Sequence, residues 1–157
     1  MTLGIGSNIE KIKSDTAFEV LQKGDFTNAL AIFQNFAPAD SRSDWWAADR
    51  FQGRALAYMG IKDWNAALGE IDKAIERRRD DFKSAMCKCH GIVEMHLTKA
   101  AILEKLGREQ EARIERSRAS KERLPHSKLP PGEARGGVPV GVYYEQLKQV
   151  RLELEGK

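Results

Sequence analysis

Cys87, His90 and Glu94 stand at i, i+3 and i+7, a spacing that places three side chains on one face of a helix. A thiolate, an imidazole and a carboxylate brought together are zinc chemistry. No CxxC and no HxxxH supplies the remaining ligands, so the reading is a polar helix flank and no metal. Cys87 and Cys89 lie two apart, where side chains diverge by about 200° round a helix axis. They do not pair with each other and are expected as reduced thiols. His90, His96 and His126 are not grouped with a serine or an acid in any nucleophile spacing. There is no Gly-rich phosphate loop, no nucleophile elbow and no HExxH. The expectation is a non-catalytic chain without a cofactor.

The second chemistry to weigh is phosphate binding. Arg108, Arg113, Arg116, Arg118, Lys121 and Arg123 line one segment and could track a nucleic-acid backbone. Glu109, Glu111, Glu115 and Glu122 interleave with them and allow intrahelical pairs such as Glu109 with Arg113. A solvated face is the default reading, and nucleic-acid binding is the weaker alternative. The whole chain of 157 residues carries 26 basic and 23 acidic side chains, a net charge of +3, too near balance to steer a strongly charged partner. No stretch approaches the ~18 apolar residues of a membrane span. Met1 to Glu10 lacks the basic and apolar regions of a signal peptide, so a cytoplasmic protein is expected.

The elements that position these residues repeat. Ala17, Val20, Ala29 and Phe33 recur as Ala55, Tyr58, Ala67 and Ile71, and again as Ala100, Leu103, Ala112 and Arg116. A turn signal stands inside each set: Gly24-Asp25-Phe26, Lys62-Asp63-Trp64 and Gly107-Arg108-Glu109. Residues three, four and seven apart share a helix face. Small residues on one helix let a partner backbone approach, and large ones fill the space beside them. The pattern predicts an all-α fold of antiparallel helical hairpins, each needing a neighbour to cover its second face.

Ser7 and Glu10 form a capping box that starts the first helix after a loose tail. That helix runs to about Lys23, and the second carries Phe26 to Phe36 and stops near Pro38. Asp40, Ser41 and Ser43 offer caps for a third helix through Trp45, Trp46 and Phe51 to Gly60. The fourth spans Trp64 to about Arg78, the fifth starts near Asp81 and ends at Leu106, and the sixth covers Arg108 to Leu124. Ala29 and Ala67 are 38 residues apart and Ala67 and Ala112 are 45, so the third and fifth helices are expected to be extended. The domain organisation is a repeat domain over 7–124, a Pro/Gly linker over 125–139, and a last helix over 140–155. That helix has Tyr143, Leu147, Val150 and Leu154 on one stripe, which must cap the stack, fill a groove or meet a second copy.

Over roughly Ile9 to Leu124 the chain resembles the tetratricopeptide repeat family. The matching positions are Ala17, Val20, Gly24, Phe26, Ala29 and Phe33, then Ala55, Tyr58, Trp64, Ala67, Ile71 and Ala74, then Ala100, Leu103, Gly107, Ala112 and Ala119. Phe36 stands where the family has a small residue, and Arg116 where it has an aromatic. The resemblance implies a short superhelix that binds a partner protein or peptide in a concave groove lined by the first helix of each hairpin. Carried onto this sequence, with one of the adjacent tryptophans as an added anchor, the partner-binding residues would be Phe18, Gln22, Trp45, Trp46, Asp49, Gln52, Leu56, Met59, Glu94, Leu97 and Lys105. Ser14, Phe18, Gly53, Glu94 and Thr98 stand where one subfamily grips a peptide carboxylate, and they form no such clamp. The mixed groove suits an apolar helix or an extended peptide. The alternative is self-association through Tyr143, Leu147, Val150 and Leu154 as a homodimer.

Overall fold

A computed structural model describes residues 3–36, 47–81, 89–123 and 144–156. They form α1 (Leu3–Gln22), α2 (Phe26–Gln34), α3 (Ala47–Gly60), α4 (Trp64–Asp81), α5 (Cys89–Lys105), α6 (Glu109–Arg123) and α7 (Tyr144–Glu155). The fold is all-helical, with no strand among the described residues. Neither is any helix among them long and apolar enough to cross a membrane.

Three hairpins, α1–α2, α3–α4 and α5–α6, close through the same turn. Gly24 N–H bonds Leu21 C=O at 3.0 Å while Asp25 N–H bonds Val20 C=O at 3.2 Å. Lys62 and Asp63 repeat this on Met59 and Tyr58, and Gly107 and Arg108 on Glu104 and Leu103. This double bond pattern needs a left-handed residue just past the helix, and φ is 82° at Gly24, 65° at Lys62 and 76° at Gly107. Asp25 then caps α2 by accepting from Asn28 N–H, and Asp63 caps α4 by accepting from Ala66 N–H at 3.2 Å.

Inside the hairpins the six repeat alanines, Ala17, Ala29, Ala55, Ala67, Ala100 and Ala112, are fully buried. Successive hairpins stack α2 on α3 and α4 on α5. At the first junction Phe18 and Phe33 meet edge to face at 5.1 Å. Gly53 and Gly60, two turns apart on α3, leave room for the rings of Phe33 and Phe26. Phe36, at the position where a small residue was expected, packs beside Phe33 and lies 4.5 Å beneath the Arg50 guanidinium. Arg116, where an aromatic was expected, reaches out to Glu104.

The helix boundaries depart from expectation at two places. α1 begins at Leu3, so Ser7 lies inside the helix and not at its cap; once a helix is nucleated, each added residue gains a backbone bond. α4 continues to Asp81, so the fifth helix does not start there, and part of the 45-residue spacing lengthens α4. Arg78 explains this, because it is drawn in by an ion pair with Asp49 of α3 and both side chains are buried. The linker, Trp45, Trp46, Cys87 and Tyr143 lie outside the described residues.

α7 does not cap the end of the stack. It packs against α1, α3 and α5, the first helices of all three hairpins.

Candidate functional site

The first helices present matching stripes at i, i+4 and i+7: Ser14, Phe18 and Leu21 on α1; Gln52, Leu56 and Met59 on α3; Leu97, Ala101 and Glu104 on α5. α7 brings Leu147, Val150 and Leu154 to this surface. Leu147 and Val150 are buried in the same core cluster as Phe18, Leu56 and Met59, and Leu154 packs against it. Of the three places open to this stripe, the end of the stack, a groove or a second copy, the structure seats Leu147 and Val150 against the first helices of the hairpins.

Arg151 shares the inward face of α7, one turn after Leu147 and one before Leu154. Its guanidinium grips Glu94 of α5 with two bonds, Nε to Oε2 at 2.6 Å and Nη2 to Oε1 at 3.2 Å. A third bond, Nη1 to Oε2 of Glu155 at 2.8 Å, holds the same side chain in place. Both partners of the main pair are buried, so the fork geometry has to compensate for two desolvated charges. Beyond it a half-open cavity of about 550 Å³ remains between Met59, Leu97, Lys105 and Leu154.

The expected partner-binding residues fall into three groups. Phe18, Gln52, Leu56, Met59 and Glu94 face the groove and are covered, and Leu97 is half-buried at the cavity. Asp49 is turned into the second hairpin, where it pairs with Arg78 of α4, and not to the groove surface. Gln22 and Lys105 are exposed, with Lys105 Nζ 6.0 Å from the Trp64 ring centroid. Sequence reasoning did not single out Arg151 or Arg78. The signal for Arg151 was its place on the apolar stripe of α7, where a charge demands a buried partner.

Gln52 and Ser14 carry a further feature of the groove. Both are fully buried, and neither the Ser14 hydroxyl nor either amide atom of Gln52 has a hydrogen-bond partner among the described residues.

A second polar cluster lies away from the groove, between α5 and α6. His96 Nδ1 is 2.7 Å from Oε2 of Glu115, whose Oε1 meets Arg118 at 2.6 Å and Lys99 at 3.6 Å. One buried carboxylate thus gathers three basic groups and ties the third hairpin together. At the start and along the outer side of α6, exposed pairs join Arg108 with Glu111 and Arg116 with Glu104. The hydrogen bond from Arg108, assisted by its charge, holds the Glu111 carboxyl below its ordinary range. Arg108 is raised by the same contact. Among the described residues no group of histidine, cysteine and acidic side chains is arranged to hold a metal ion; Cys87 and the His90 side chain are not among them.

No family model, no curated protein and no solved structure matches this chain.

Proposed function

We propose that this chain is a non-catalytic protein-interaction module of the tetratricopeptide repeat kind, and that its groove receives an amphipathic helix. The observation that carries this reading is the seat of α7 on α1, α3 and α5, with Leu147 and Val150 buried and Arg151 on Glu94. A groove that holds one helix by an apolar stripe and a bidentate ion pair has the chemistry to hold another. Of the two occupants the sequence left open, the helix is favoured over the extended peptide, because a helix is what the groove already holds.

The intramolecular tether gives α7 an effective concentration in the millimolar range. An external helix therefore has to bind more tightly than α7 does, or arrive when α7 has been released. The test is a protease site placed between residues 125 and 139 of the full chain, followed by titration with a labelled peptide of residues 140–157. Saturable binding after cleavage that weakens when Glu94 is changed to Gln is the expected result. No exchange of the peptide, with α7 remaining bound after cleavage, would show a fixed structural helix and end the proposal.

A further inference from the structure

The inference rests on the reading that the groove exchanges helices, and it names what the external helix carries. Ser14 and Gln52 stand three residues before Ala17 and Ala55, the same position in the first and second hairpins. Their polar atoms are fully buried and without partners among the described residues. Leaving such a group unsatisfied costs about 1–3 kcal/mol, and an apolar side chain would serve better beneath an apolar stripe. The third hairpin has that arrangement, with Leu97 at the equivalent position.

No described side chain of α7 gives the Ser14 hydroxyl or the Gln52 amide a hydrogen bond. Its inward stripe is Leu147, Val150 and Leu154, and the guanidinium of Arg151 is engaged by Glu94 and Glu155. The backbone groups inside a helix are already bonded to one another. What the groove lacks must therefore be a side chain. A primary amide presents a donor and an acceptor side by side, and the group that complements it is another amide. The Ser14 hydroxyl, at the same position of the first hairpin, can both donate and accept.

We propose that α7 holds the place of a partner helix that carries an arginine for Glu94 and an asparagine or glutamine for Gln52 and Ser14. The carboxamide gives that helix its advantage over α7, and Gln52 reads it.

Four labelled peptides of residues 142–157, the native sequence and the variants Leu147→Asn, Val150→Asn and Leu154→Asn, are titrated by fluorescence anisotropy against the full chain after cleavage between residues 125 and 139, which removes the tether of α7. One asparagine peptide is expected to bind about tenfold more tightly than the native one, the equivalent of about 1.4 kcal/mol. The gain should vanish on a Gln52→Leu chain, while the native peptide binds that chain at least as well. Gln52→Met serves as the second variant if Gln52→Leu lowers the melting temperature. Asparagine peptides that are all weaker than the native one, or a gain that survives in both Gln52 variants, overturn the inference but leave the groove reading intact. Binding by no peptide, the native one included, overturns both.

Discussion

Arg151 and Glu94 are separated by 57 residues of chain, yet their side chains form a buried two-bond fork between α7 and α5. Removing one member leaves the other charged and desolvated, which costs about 3–5 kcal/mol. Replacing both by apolar residues of similar volume is expected to restore most of that loss. Urea unfolding of Arg151→Met, Glu94→Leu and the double variant would measure the coupling. Additive losses in the double variant would mean that the two side chains do not act as a pair.

Val150 is buried with Leu147 in the cluster that joins α7 to the groove. Val150→Asp places a carboxylate there without touching the repeat alanines. Faster hydrogen exchange confined to 144–156 is expected, with α1, α3 and α5 keeping most of their protection. Uniform loss of protection along the chain would instead make α7 an integral part of one cooperative unit.

Lys62 holds at φ 65° the place that Gly24 and Gly107 hold in the other two turns. A left-handed L-residue costs about 1–2 kcal/mol, offset in part by the unfolded-state entropy that glycine adds. Lys62→Gly is expected to raise stability by about 0.5–1 kcal/mol. Chemical denaturation reads this directly, and a decrease would show that the lysine side chain makes a compensating contact.

A methyl group at Gly60 would run into the ring of Phe26, and one at Gly53 would meet Cζ of Phe33 at 2.5 Å. Both glycines are there for close approach and not for an unusual φ. Gly60→Ala is expected to cost about 1–3 kcal/mol by overpacking, and pairing it with Phe26→Leu should recover part of the loss. A neutral Gly60→Ala would mean that α2 shifts away freely.

Glu111 is held below the ordinary carboxylate range by Arg108. A carboxyl depressed in the folded state contributes stability above its unfolded pKa, and the contribution disappears as pH falls through the folded value. Both side chains are exposed, so the readout is the titration itself. Carboxyl NMR should place Glu111 below the ordinary glutamate value, and Arg108→Ala should return it to that value.

The repeating alanines and turn residues made the hairpins legible, because close helix contact and left-handed turns admit few residue types. Ala17 with Ala29 and Gly24 with Asp25 do locally what their identities imply. The end of α4 was not legible in this way. Arg77 to Asp81 has the composition of an exposed corner, and it is an ion pair with the distant Asp49 that draws Arg78 inward. The stripes of α1, α3 and α5 were legible as sets of positions but not as a surface that α7 covers. Leu147 and Val150 show a stripe that needs cover, and no local rule says which face supplies it.

The length of α7 matters beyond its contacts. Its 12 residues extend about 18 Å, close to the width of three neighbouring helices set about 8–10 Å apart. A helix that touches α1, α3 and α5 together therefore acts as a ruler. Hairpins closed by identical turns can in principle be gained or lost as whole units, and such a change would leave α7 overhanging a shorter array or covering only part of a longer one. The length of α7 is thus matched to the three hairpins it touches, and selection on it would constrain how this array changes.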